Sequence, residues 1–235
     1  MLVSFYLASA AASSSFVFSF LTNPNFLQPG PKDGTMTLMS TTLYFVRHGE
    51  AENPSRIAYG RMPGFHLSAS GIDQAEKLAT YFALKPIVAI YTSPLERTFE
   101  TANIISEKSK GLVPIHMYDL IEVDSALWQG LTTDQLFKNE SYEKFISNSP
   151  DRSSGESLAQ VAKRMLNAAL TLCKEHSGKE LICVSHEYPI LTLKLKLQNK
   201  PLEEMRHLNA ATGSITKLVL DDSFKLVESD YIELE

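Results

Sequence analysis

Thr42-Leu43-Tyr44-Phe45-Val46 runs without a break into Arg47-His48-Gly49-Glu50. An unbroken stretch of β-branched, aliphatic and aromatic residues predicts a buried strand. Its abrupt end in charged chemistry puts Arg47 and His48 at the strand's carboxyl end, the edge where open α/β sheets bind ligands. Gly49 lets the backbone turn sharply or approach a ligand closely. Arg47 is a permanent cation suited to phosphate oxygens, and the His48 imidazole can act as nucleophile, base or metal ligand. Alone, the tetrapeptide fits a solvent-facing Arg and His equally well. The distinction rests on what other strand ends supply.

The same transition recurs twice. Residues 87–91 form a second apolar run, followed by Thr92-Ser93-Pro94. Pro94 suits the first turn of a helix reaching about Lys108, with Arg97 one turn in. Residues 180–184 form a third run ending in Ser185-His186-Glu187, and Pro189 opens a helix to about Gln198. A short strand is predicted at 112–117. Helices are predicted from Ser68 or Ser70 to about Leu84, over 134–146 and over 156–175. The last carries Leu158, Val161, Ala162, Met165, Ala169 and Leu172 at helical spacing. Strands at 214–220 and 224–229 close the chain as an antiparallel pair.

Strand alternating with helix predicts a three-layer α/β/α domain whose mostly parallel sheet is covered on both faces. Right-handed crossovers set successive strand ends on one edge, so Arg47, His48, Arg97 and His186 can converge. Two arginines and two histidines at one point form a phosphate-sized anion pocket, to which the helix starting near Pro94 adds its positive end.

Composition narrows the partners. The chain of 235 residues has room for one sizeable domain. A formal net charge of -5 argues against non-specific nucleic-acid binding. Cys173 and Cys183 lack metal-ligand spacing and read as reduced, buried thiols. No metal, cofactor or nucleic acid is expected, and a homodimer stays open. Residues 1–40 stand apart: no charge precedes Lys32, residues 2–20 are apolar and serine-rich, and Pro24, Pro29, Gly30, Pro31 and Gly34 follow. This stretch lacks the basic start of a signal peptide. It is expected to be a leader outside the fold, which then occupies 41–235. A cytoplasmic location and no membrane contact are expected. The alternative is an exported or anchored protein, with residues 2–20 as the anchor.

Phe45 to Glu50, Leu67-Ser68-Ala69-Ser70-Gly71, Ser93-Pro94-Leu95-Glu96-Arg97-Thr98, Gly155-Glu156-Ser157 and Val184-Ser185-His186 together resemble the histidine phosphatase superfamily, in its phosphoglycerate-mutase-like branch. The resemblance covers about Thr42 to Val219. It implies that His48 is a nucleophile that becomes phosphorylated, and that Arg47, Arg97 and His186 bind the phosphoryl group of a small phosphorylated substrate. It also implies a proton donor in a Leu-x-Glu pattern followed by Trp-x-Gly. Leu120-Ile121-Glu122 and Trp128-Gln129-Gly130 match, so Glu122 takes that role.

Departures from the family pattern leave two points open. Asn53 stands one residue closer to the first motif than the family's phosphate-contacting asparagine, and Arg56 and Arg61 compete for the next basic position. Glu187 replaces the glycine that follows the second histidine and is the alternative acid. The short 132–154 segment, without a Glu-Arg-x-Tyr-like run, favours a phosphomonoesterase over the alternatives, a mutase-type phosphoryl transfer and a silent phospho-ligand binding module. Substrate-lining residues are expected from 51–66 and 132–154, including Phe137, Lys138, Tyr142, Lys144, Phe145 and Arg152.

Overall fold

Alternate residues of the central strands feed two separate cores. Leu43, Phe45, Tyr91, Leu181, Cys183 and Leu218 pack with helix residues such as Leu158, Met165, Ile190 and Leu193. Tyr44, Val46, Ile90, Ile182, Val184 and Ile215 instead meet Leu78, Phe82, Ala102 and Ile105. A period of two therefore clothes both faces of one sheet, and the result is the expected α/β/α sandwich. A computed structural model of the chain describes residues 39–125, 127–149 and 155–235. The expected leader, apart from Met39 and Ser40, and Arg152 lie outside the described residues.

The strands are β1 (Thr41–Arg47), β2 (Ile87–Thr92), β3 (Ile115–His116), β4 (Glu180–Ser185), β5 (Ile215–Leu220) and β6 (Leu226–Ile232). Their order in the sheet is β3-β2-β4-β1-β5-β6. β3, β2, β4 and β1 run parallel, while β5 and β6 are antiparallel to their neighbours. The helices are α1 (Ala69–Phe82), α2 (Glu96–Lys108), α3 (Thr133–Leu136), α4 (Glu140–Ile146), α5 (Leu158–Glu175) and α6 (Glu187–Leu197). α1 and α2 cover one face, and α5 and α6 the other. The chain leaves β1 and β4 toward opposite faces, so a crevice opens at the carboxyl ends of these neighbours. Register sets Arg47 opposite Ser185 and Thr92 opposite Val184.

Two elements differ from their predicted form. The single helix expected over 134–146 is two helices, because Asn139 leaves the helical conformation and its side chain accepts from the Tyr142 amide as the cap of α4. The strand expected over 112–117 pairs only at Ile115 and His116. Lys110 and Gly111, both with positive φ, turn the chain just before it. Ser157 caps α5 in a capping box with Gln160, two residues beyond the predicted start. Both cysteines are buried and unpaired, and burial pushes the Cys173 thiol up to about 11. Among the described residues, no helix is long and apolar enough to cross a membrane.

Candidate active site

The turn after β1 is built by backbone contact. A Cβ on Gly49 would collide with the Gly71 carbonyl, and one on Gly71 with the Glu50 carbonyl. The first motif and the first turn of α1 thus lie glycine to glycine. Thr101 of α2 accepts the Gly49 amide at 3.1 Å and donates to the Arg97 carbonyl at 2.7 Å. These contacts hold His48 against Arg97.

His48 is buried, and its Nδ1 lies 2.7 Å from the Gly49 carbonyl oxygen. That carbonyl can only accept, so Nδ1 carries the proton and Nε2 keeps its lone pair. Arg97 donates to that lone pair from Nε at 3.2 Å. Arg97 is completely buried; its Nη2 donates to the Gly60 carbonyl at 2.8 Å and lies 3.2 Å from His186 Nδ1. His186 Nε2 lies 2.8 Å from Ser93 Oγ, and the two imidazole rings are 5.2 Å apart. Ser93 follows β2 and His186 follows β4, so three strand ends meet as the sequence predicts.

The electrostatics suit an incoming anion. Burial, then Arg97 and Arg47, hold the His48 imidazole well below its usual value, with the Gly49 carbonyl opposing. Burial and Arg97 act on His186 in the same direction. Both rings are neutral, and the cationic charge resides on the arginines. Arg47 Nε and Arg97 Nη1 are buried donors with no partner among the described residues. Buried guanidinium hydrogens are costly to leave unpaired, and two of them beside a neutral imidazole describe a place for phosphoryl oxygens.

Glu122 lies beside this group, with Oε2 3.9 Å from His186 Nδ1. Burial raises its carboxyl above the usual range, while the Val123 amide and Arg97 pull the other way. Glu187 also lines the cleft, but its carboxylate is 3.0 Å from Arg47 Nη1 in an ion pair. The two candidate acids therefore differ in environment: Glu122 is held toward the protonated form by burial, and Glu187 is held by a cation.

Arg47, His48, Asn53, Arg56, Glu122 and Glu187 line a cleft of about 440 Å³. Arg61 is not among its lining residues: its Nε donates to the Glu122 carbonyl at 2.7 Å and its Nη2 to Glu156 at 3.1 Å. The Asn53 amide closes its own loop, donating to the Ile57 carbonyl and accepting the Ile57 amide. Of the aromatic residues expected as lining, Tyr142 and Phe145 are core and Phe137 is exposed. Thr133 and Leu136 take their place in the cleft.

Trp128 packs in the core on Tyr142 and Phe145 and also forms part of the cleft wall. Two lining tyrosines were not singled out from the sequence, although Tyr59 falls in the expected 51–66 segment; Tyr188 lies outside both expected segments. Tyr59 stacks on Phe65 and lies beneath the Arg97 guanidinium, whose carbon is 4.7 Å from its ring centre. Tyr188 faces the cleft two residues after His186. Their signals were position alone: Tyr59 sits between the two competing arginines, and Tyr188 follows a strand-end histidine.

Residues 43–230 match the family model for the Histidine phosphatase superfamily (branch 1). An uncharacterized protein of Mycobacterium tuberculosis is 37% identical over 195 residues, covering 81% of this chain and 95% of that protein. Phosphoserine phosphatase 1 of Hydrogenobacter thermophilus is 29% identical, covering 77% of this chain and 87% of that protein. The crystal structure of an Entamoeba histolytica phosphoserine phosphatase in complex with 3-phosphoglyceric acid superimposes with a TM-score of 0.73 at 28% identity. It covers 83% of this chain and 98% of its own. The chain belongs to the histidine phosphatase superfamily, and its fold is that of the phosphoglycerate-mutase-like phosphatases. It is an enzyme, a phosphatase.

Proposed function

We propose that this phosphatase hydrolyses the phosphate monoester of a small metabolite through a phosphohistidine on His48, without a metal ion. The observation that carries the reading is the pair of unpartnered buried donors, Arg47 Nε and Arg97 Nη1, beside a neutral imidazole whose Nε2 is unprotonated and accepts only from Arg97 Nε, a contact an arriving phosphoryl group would replace. A cleft of about 440 Å³ suits a compact leaving group. The relatives named phosphoserine phosphatase support a substrate of that size.

The steps balance on the side chains present. The Nε2 lone pair attacks phosphorus while the phosphorus–ester oxygen bond breaks, and the leaving oxygen takes its proton from Glu122. Arg47, Arg97 and His186 bind the equatorial oxygens in flight. Glu122, now a carboxylate, then accepts a proton from water as that water attacks phosphorus. The nitrogen–phosphorus bond breaks and its electron pair returns to Nε2. Splitting hydrolysis in this way replaces one hard displacement with two easier ones.

The test is phosphate release from a panel of phosphorylated hydroxy and amino acids, sugars and aryl phosphates, with and without a bisphosphoglycerate primer and a chelator. Turnover of a small monoester, independent of primer and chelator, is expected. Phosphoryl transfer that depends on the primer would instead establish a mutase.

A further inference from the structure

The Glu122 carboxyl is held from behind. Its own carbonyl oxygen accepts two guanidinium groups, Arg61 Nε at 2.7 Å and Arg164 Nη2 at 3.3 Å. Arg164 also donates from Nη1 to the Asp119 carbonyl at 2.7 Å, so one side chain spans the turn that leads into Glu122. The Glu156 carboxylate joins the two arginines: Oε1 accepts Arg164 Nε at 2.7 Å, and Oε2 accepts Arg164 Nη2 and Arg61 Nη2, both at 3.1 Å. Oε2 also accepts the Asp124 amide at 3.3 Å. Side-chain exposures of 26%, 15% and 14% for Arg61, Glu156 and Arg164 make this a partly buried network rather than a surface pair.

Two segments distant in sequence contribute: the loop after β1, with Arg61, and α5 with its N-terminal approach, which carry Glu156 and Arg164. Gly155 has φ +92 and lies against the Asp124 carbonyl, which brings Glu156 up to the acid's loop. Arg61 also links this network to the phosphoryl pocket, because the carbonyl of the preceding Gly60 accepts Arg97 Nη2. Nothing in the chemistry of phosphoryl binding requires Glu156 or Arg164, and neither lines the cleft.

We propose that Arg61, Glu156 and Arg164 are positioning residues that clamp the backbone of Glu122 so that its carboxyl meets the ester oxygen of the substrate. The proposal rests on Glu122 being the acid of the phosphatase reaction. Bidentate guanidinium contacts are stiff and planar, so the clamp defines direction as well as distance. An acid displaced by about 1 Å loses much of its advantage.

The clamp also bears on the protonation of Glu122. The charged and titratable groups around that carboxyl are Arg47 from β1, Tyr59 and Arg61 from the following loop, Arg97 from α2 and Arg164 from α5. His186, Glu187 and Tyr188 face it from the end of β4 and the start of α6. Glu156 offsets two of the cations. Glu156→Gln leaves Arg61 and Arg164 unopposed, which favours the Glu122 carboxylate. Arg164→Gln removes a cation and favours the neutral acid.

The experiment compares Glu156→Gln and Arg164→Gln with the unaltered enzyme on an alkyl phosphate and on nitrophenyl phosphate across pH. For the alkyl ester both variants are expected to lose about 10²-fold in kcat with little change in KM. The kcat/KM of nitrophenyl phosphate, which reports the phosphorylation step alone and whose leaving group needs no proton, should change by less than about threefold. The basic limb of the kcat profile should move to lower pH in Glu156→Gln and to higher pH in Arg164→Gln. Equal losses on both esters with an unmoved limb would overturn the clamp. Arg61→Gln, a loop substitution, gives the same readout as Arg164→Gln should the α5 variant not fold. Turnover by the unaltered enzyme separates the two ideas: absence of phosphate release from every monoester of the panel contradicts the proposed monoesterase function rather than the clamp.

Discussion

Arg97 Nε lies 3.2 Å from His48 Nε2 and donates to its lone pair. The hydrogen bond keeps that nitrogen unprotonated, and in the proposed mechanism it places a buried guanidinium where phosphoryl oxygens would arrive as the ring attacks. Lysine at position 97 keeps the charge but loses the planar fork that reaches His48, Gly60 and His186 together. Arg97→Lys is expected to cost about 10²–10³-fold in kcat/KM, while a chelator leaves the unaltered enzyme unchanged. Steady-state kinetics on one monoester checks both; activity near the original level in Arg97→Lys would remove Arg97 from the transition state.

Glu122 and Glu187 separate by leaving group. Protonating the departing oxygen matters for a basic alkoxide and little for a nitrophenolate. Glu122→Gln should lower kcat/KM, which reports phosphorylation alone, by about 10²–10⁴-fold for an alkyl phosphate and far less for nitrophenyl phosphate. Glu187→Gln, which loses only the ion pair to Arg47, should affect both esters modestly and alike. Leaving-group dependence in the Glu187 variant alone would reverse the assignment of the acid.

Stability should depend on pH through the same groups. His48 and His186 have folded values well below the 6.5 of a free imidazole. Below pH 6.5 the unfolded chain binds more protons than the native one. Their contribution is therefore complete above 6.5 and is lost as pH falls toward the folded values, at up to about 1.4 kcal/mol per unit per histidine. Glu122, raised above 4.5, has the opposite sign: its contribution is complete below 4.5 and is lost as pH rises through its folded value. Urea midpoints at pH 7.5 and 5.5 should show a shallower drop in His186→Gln and a higher midpoint at pH 7.5 in Glu122→Gln. A lower midpoint in the Glu122 variant would contradict burial of that carboxyl.

The contact between Gly49 and Gly71 leaves no room for a side chain on either. Gly49→Ala should destabilise by about 1–3 kcal/mol, because the obstructing atoms are backbone and cannot rotate away. Thermal unfolding measures this; an unchanged melting temperature would show that the β1 turn and α1 can separate.

Much of this site was legible because strand ends are conspicuous in sequence. Arg47, His48, Arg97 and His186 sit where apolar runs stop, and the handedness of crossovers brings those stops to one edge. Choosing between Arg56 and Arg61 was not open to the same reasoning. The path of their loop depends on the Asn53–Ile57 hydrogen bonds and on Glu156, which lies 95 residues beyond Arg61. Glu122 was preferred over Glu187 in sequence only through the Leu-x-Glu and Trp-x-Gly resemblance; the burial of Glu122 and the ion pair of Glu187 with Arg47 give that preference a physical basis. The break between α3 and α4 was readable in principle from Asn139, a strong capping residue inside an otherwise helical pattern.

Covalent trapping on His48 tests the proposed mechanism most directly. Brief exposure to a labelled phosphomonoester, acid-free quenching and peptide mapping should show phosphate on His48, stable to base and released by acid. His48→Ala should lose the label and turnover together. Full turnover in that variant, or label on any residue other than His48, would contradict hydrolysis through a phosphohistidine.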